Sequence, residues 1–326
     1  MPLFLPQSRR DIIDIDSKMR RKLAGSLDYI FSQTASALGV EGVDLPSATS
    51  AILAHRQHPG VFARYFELVF ALKAKRHEEA ARLIGEIAAM VRQTPSFETT
   101  FLARETMGGD AERYTRLLDA GEKGPIFAAP VPAEWPSFKT GVASALSLLD
   151  AADDAFAAEI RELVVQVIGA VPVSPTRSFG SVSSLTLWGA VVLNLALHPE
   201  PLAIIDGLVH EAAHLLLFGY AIDEPLVANP DSERFQSPLR SDARPMDGVF
   251  HATFVCARLH YLYRRLLERR PGLLSDVEIA ACENRLELLA LKFDDGAQVI
   301  ADSARLTPTG ERVLRSTLDY MCRVAA

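Results

Sequence analysis

Three cysteines, Cys256, Cys282 and Cys322, are all that 326 residues contain. No two are spaced as in a zinc knuckle or a redox motif, so neither a disulfide framework nor a cysteine metal site is on offer. The odd count, with two of the three inside helical patterns, predicts buried thiols and a reducing compartment. Excess positive charge is also missing: 34 Lys and Arg against 41 Asp and Glu give a formal net charge of −7. Phosphate backbones are bound by concentrated cations, so nucleic acid is not an expected partner. The run "YRRLLERR" carries its own Glu and reads as the solvated face of a helix. No clean membrane span is visible, because the apolar "LVHEAAHLLLFGYA" is short and holds two His and a Glu. The N-terminal "MPLFLPQSRRDIIDIDSKMRRKL" lacks the apolar core and cleavage site of a signal peptide. The expectation is a cytoplasmic protein with no membrane partner. Internal repeats and low-complexity tracts are absent too.

What is present is the composition of a soluble globular protein, 49% hydrophobic and 23% charged. The length allows two folding units. Apolar residues at helical spacing, Ile12, Ile15, Met19, Leu23, Leu27, Ile30 and Phe31, predict a helix over 11–37. Ser47 to Ser50 are expected to cap a second helix beginning near Ala51. "FARYFELVFALKAK", "EEAARLIGEIAAMV", "FETTFLARETM" and "DAERYTRLLD" continue as helices. Pro and Gly crowd residues 122–138, marking a boundary, with a helical N-terminal region over 1–125 and a metal-binding region over 126–326. There the composition turns β-branched in "VVQVIGAVPV" and "SFGSVSSLTLWGAVVLNL", which read as strands. Helices follow over 199–219, 247–269, 274–293 and from about 308, with a loop over 221–245. The expected fold is α+β and mostly helical: an N-terminal bundle, then a small antiparallel sheet packed against a zincin-like helix.

That helix carries "LVHEAAH". His210 and His214 stand at i and i+4, so both imidazoles project from one face. Two imidazoles so placed suit a divalent cation, and Glu211 between them can reach a metal-bound ligand or water. The bland alternative, two ordinary histidines in an amphipathic helix, leaves unliganded imidazoles among apolar neighbours at a cost. A third ligand must come from elsewhere, and His251, opening the next helix, is the first choice. Glu224, Asp247 and Glu283 are carboxylate alternatives; His260 and His198 rank lower. His55, His58 and His77 read as surface residues.

The loop "RFQSPLRSDARPMDGVFH" brings Arg234, Arg240 and Arg244 together before His251. Arginines beside a metal suggest an anionic ligand, because a guanidinium matches a carboxylate bidentately. Pairing with Asp231, Glu233, Asp242 and Asp247 competes with that reading for Arg234 and Arg240. Arg258 shares a helix face with His251 through its i, i+7 spacing.

"LVHEAAH" followed by "SPLRSDARPMDGVFHATFV", with "LTPTGERVL" near the end, resembles the HExxH-motif proteins encoded beside ribosomally made, post-translationally modified peptides. The likeness spans roughly residues 160–320, with its core at 205–260. Some members of that group are iron- and 2-oxoglutarate-dependent hydroxylases of peptide β-carbons. The resemblance implies Fe(II) held by His210, His214 and His251. It also implies 2-oxoglutarate as cosubstrate, Arg244 or Arg258 on its distal carboxylate, and a precursor or carrier-bound peptide as partner. Three histidines depart from the usual two-His-one-carboxylate triad. That keeps a zinc metallopeptidase open, with Glu211 as general base; under the hydroxylase reading Glu211 orients a ligand or water. A metal-bearing peptide-binding scaffold is the non-enzymatic alternative, and a homo-oligomer is left open.

Overall fold

In a computed structural model of the chain, residues 3–91, 95–119, 124–269 and 272–325 are described. The polypeptide opens with four helices, α1 (Arg9–Leu38), α2 (Leu45–Ala54), α3 (Pro59–Lys73) and α4 (His77–Met90). Strand β1 (Glu98–Phe101), short helices α5 (Arg104–Met107) and α6 (Asp110–Leu118) and strand β2 (Phe127–Ala128) follow. Next come α7 (Trp135–Ala152), α8 (Asp154–Leu163) and strands β3 (Gln166–Pro172), β4 (Ser181–Ser183) and β5 (Ala190–Asn194). The chain ends with α9 (Pro201–Tyr220), α10 (Met246–Glu268), α11 (Asp276–Ser303) and α12 (Pro308–Ala325). It is an α+β protein, mostly helical, with one small mixed sheet. Two compact units result: Met1–Ile12, Thr140–Ile160 and Pro199–Ala326 form one, Ile13–Lys139 and Arg161–His198 the other.

The sheet belongs to the second of these units. Its order is β1-β3-β5-β4, with β1, β3 and β5 parallel, β4 antiparallel to β5, and β2 antiparallel to β3. The expected antiparallel sheet is therefore corrected to a mixed one. Strand β4 lies beyond β5 and turns back onto it, so β3 and β5 run the same way. Parallel central strands are buried on both faces and lose alternation, and β5 "AVVLN" is buried along its whole length. Residues 98–101, expected as helix, form β1 instead: Thr99 and Thr100 sit opposite Val167 and Ile168 in the parallel ladder. Only a partner distant in sequence supplies that ladder. Ile168, Ala170 and Val192 pack with Ala63, Tyr114 and Leu117 into the core of this unit. The Tyr114 hydroxyl donates to Gln166 Oε1 at 3.0 Å, so this buried phenol is paired.

Helix α2 begins six residues before the expected Ala51. Asp44 is the cap, its carboxylate accepting from Ser47 N at 3.2 Å. The Pro- and Gly-dense stretch 122–138 starts at residues outside the described set, then carries β2 and a single 3-10 turn at Pro132–Glu134.

The other unit is built around α9. Proline sits in its first turn, and most of its length is buried, Ile204, Ile205, Leu208, Val209, Leu215 and Leu216 among them. It is long and apolar enough to cross a membrane, yet 67% of that window is enclosed by the fold, the ordinary condition of a core helix. Helix α10 packs against α9 on one side and α11 on another. Helix α11 opens with a capping box: Ser275 N donates to Glu278 Oε2 at 2.8 Å and Glu278 N to Ser275 Oγ at 3.4 Å. It runs ten residues past the expected end at 293. Gly296 interrupts its apolar pattern but is needed there, because a Cβ would overlap Thr253 of α10 and crowd Pro238.

The connection between α9 and α10 is pinned at two places. Val227 bridges Leu306, and Phe235 bridges Arg244. The "LTPTGERVL" segment makes the first pin. Thr307 Oγ1 donates to Pro225 O at 2.6 Å, Thr309 N donates to Glu224 Oε2 at 3.0 Å, and Gly310 packs directly on the Leu226 carbonyl.

Candidate metal centre

Helix α9 presents His210 and His214 on one face, as their spacing requires, and α10 presents His251 to them. His214 is the middle ring. Its Nε2 lies 3.3 Å from His210 Nε2 and its Nδ1 lies 2.9 Å from His251 Nδ1. The His214 and His251 rings stack with centroids 5.2 Å apart and planes at 20°. Phe218, one turn beyond His214, packs against the His251 ring with centroids 5.4 Å apart.

A neutral imidazole has one N–H and one lone pair. Burial pushes the His214 imidazole down to about 4, the Glu211 charge opposing and the His210 and Arg240 charges adding to the effect. Burial, then His214, pushes His251 down to about 3. Both rings are thus neutral at physiological pH, the state in which a histidine binds a metal. If His214 Nδ1–H donates to His251 Nδ1, its Nε2 lone pair faces His210 Nε2. With nitrogen–metal bonds of about 2.1 Å, two Nε2 atoms 3.3 Å apart are close enough to share one ion. The His210–His214 pair therefore fits a single divalent cation. His251 joins through the opposite nitrogen of His214, and its Nε2 lies 3.9 Å from Asp247 Oδ2. To reach the same ion, its ring must leave His214 Nδ1. Among the described residues, no group of three or more His, Cys, Asp and Glu side chains stands ready as a metal cage.

Glu211 is buried at 2% exposure, with Oε1 3.9 Å from His210 Nε2. One turn before His210, Asp206 accepts from Tyr263 OH at 2.6 Å and from Arg285 Nε at 3.2 Å. Neither the sequence reading of the site nor its motif included this clasp, which ties α9 to α10 and α11. The i−4 position of Asp206 relative to His210 is the pattern that points to it.

The other candidates are placed elsewhere. Arg258 is fully buried: Nη2 pairs with Glu159, Nη1 donates to Phe4 O at 2.6 Å, and the guanidinium lies 4.4 Å from the Phe156 ring centroid. The face it shares with His251 is thus used for Glu159. Arg244 pairs with Asp242 at 3.0 Å, both side chains well exposed. Glu224 caps α12 through Thr309. Glu283 is exposed on α11. His260 bonds Tyr320 OH at 2.9 Å, and His198 bonds Asn194 O at 2.7 Å. Of the three cysteines, Cys256 and Cys282 are buried and Cys322 is exposed.

Compared with known proteins, the chain matches no family model and no curated sequence.

Proposed function

We propose that this chain is an Fe(II)- and 2-oxoglutarate-dependent oxygenase that hydroxylates the β-carbon of a residue in a ribosomally made peptide. The observation that carries the reading is the cluster itself, three imidazoles from two helices, two of them facing through Nε2. The resemblance of "LVHEAAH" and "SPLRSDARPMDGVFHATFV" to peptide-modifying HExxH proteins supplies the reaction class. Iron held there would supply dioxygen activation, with 2-oxoglutarate, dioxygen and a C–H bond converted to succinate, carbon dioxide and a C–OH group.

Within this reading His210 and His214 bind through Nε2, and His251 completes the set. Because His214 and His251 are neutral, no proton has to be displaced before a metal enters. Arg244 is the arginine for the distal carboxylate of 2-oxoglutarate, since its exposed pairing with Asp242 is easily exchanged. Glu211 holds its place beside His210 and orients what lies next to it.

One distance favours a second reading, a zinc peptidase. A buried carboxylate 3.9 Å from His210 Nε2 is placed to take a proton from an attacking water.

The test is spectroscopic and needs no peptide. Anaerobic protein loaded with Fe(II) should develop a visible charge-transfer band when 2-oxoglutarate is added, and His214→Ala should lose it. Iron bound with no such band would reject the oxygenase reading. Glu211→Gln then separates the classes: it costs a peptidase nearly all turnover and a hydroxylase only what local disorder costs.

A further inference from the structure

Of the arginines between α9 and α10, Arg240 alone has no hydrogen bond or ion pair through its guanidinium with any described residue. Arg234 donates to the carbonyls of Asp231 and Glu233, and Arg244 to Asp242. Arg240 contributes only its backbone carbonyl, which accepts from Gln236 Nε2 at 3.3 Å. Its side chain is unengaged, but its backbone is held firmly. Phe235 N and Arg244 N each donate to the other's carbonyl at 2.8 Å, closing a hairpin over 235–244. Lys292 of α11 donates to Pro238 O at 2.7 Å, and Pro238 lies against Gly296.

Between this hairpin and α11 runs a cleft of about 630 Å³, lined by Arg240 and Lys292 with Ser237, Asp295, Gln298 and Val299. Two cations against one carboxylate leave it net positive, in a chain whose total charge is −7. The hairpin leads directly into α10, the helix that carries His251. Amide side chains and hairpin backbone along the cleft provide the partners that an extended polypeptide requires.

We propose that this cleft seats an acidic side chain of the peptide on which the histidine centre acts, with Arg240 gripping its carboxylate. That the ligand is a peptide rests on the function proposed above. Lys292 is a positioning residue, holding the hairpin while adding charge to the cleft.

The experiment uses the purified full-length, metal-free protein and fluorescence anisotropy. The probes are two short labelled peptides of equal length, one of alternating Glu and Gly, the other of Gln and Gly. The Glu peptide should bind about tenfold more tightly, as a charge-assisted bidentate contact implies. Arg240→Gln should erase that preference and Arg240→Lys should keep part of it, with thermal unfolding unchanged because the exposed side chain supports nothing. Equal binding of the two peptides, or a preference that survives Arg240→Gln, would overturn the proposal. So would saturable binding of succinate or 2-oxoglutarate lost in Arg240→Gln without any binding of the Glu peptide, since the cleft would then belong to a small dicarboxylate. The binding needs no metal, so it can fail while the charge-transfer band appears, or persist while the band is absent.

Discussion

His214 of α9 and His251 of α10 face each other through Nδ1 at 2.9 Å. Two neutral rings satisfy that contact only if one donates, so the tautomers of His214 and of a residue 37 positions away are coupled. His251 therefore bears on the centre in one of two ways, by holding the His214 ring through this contact or, once it leaves His214 Nδ1, as a proposed ligand.

The first prediction follows from this contact. His210→Ala and His214→Ala should each abolish stoichiometric Fe(II) binding, measured by anaerobic titration and metal analysis. His251→Ala should lower affinity by at least about tenfold, the cost of losing even an orienting partner. Unchanged iron content in His251→Ala would remove it from the centre altogether.

A second prediction concerns Arg258, whose pairing with Glu159 seals both groups from solvent. Burial raises the Glu159 carboxyl, and the Arg258 charge works against that rise. Arg258→Leu leaves Glu159 buried without its counter-charge, a loss of about 3–5 kcal/mol in urea unfolding. Pairing it with Glu159→Leu should restore much of the stability. If Arg258→Leu instead unfolds like the parent and loses 2-oxoglutarate binding, Arg258 is the cosubstrate anchor rather than a structural residue.

The third concerns pH. Burial, reinforced by Arg264, pushes His260 down to about 4 from its ordinary 6.5. As pH falls the unfolded chain takes up this proton first, so the native state is progressively disfavoured. The stability due to a neutral His260 is fully present above about pH 6.5 and is lost as pH falls through the folded value near 4. Unfolding midpoints measured across that window should fall less steeply for His260→Gln than for the parent. Parallel slopes would show that His260 takes up its proton in the folded protein.

The last concerns Gly310, which lies against the Leu226 carbonyl with no room for a Cβ. Gly310→Ala should destabilise the chain by about 1–3 kcal/mol, since the obstacle is backbone rather than a flexible side chain. Because the same contact pins the segment after α9, hydrogen exchange of residues 224–228 should also accelerate. Protection equal to the parent's would show that α12 yields without releasing that segment.

The sequence by itself determined what depends on neighbours along the chain. Periodicity placed α1, α9 and α10 almost to the residue, because an amphipathic stripe is written in i, i+3 and i+4 spacings. It also determined that His210 and His214 share a face and that Glu211 lies beside them. Tertiary structure decided whatever requires a partner from afar. Strand β1 exists because Glu98–Phe101 meets Gln166–Gly169, a ladder no local window contains. The sheet is mixed because β4 passes β5 before turning back, a matter of chain path rather than composition. The three loop arginines look alike in sequence. Folding gave Arg234 to backbone carbonyls and Arg244 to Asp242, and left Arg240 unpaired beside Lys292. Arg258, predicted by spacing to face the same way as His251, is held by Glu159, 99 positions earlier. A charge in a low-dielectric interior goes to the nearest opposite charge in space, and which one that is depends on how distant segments pack.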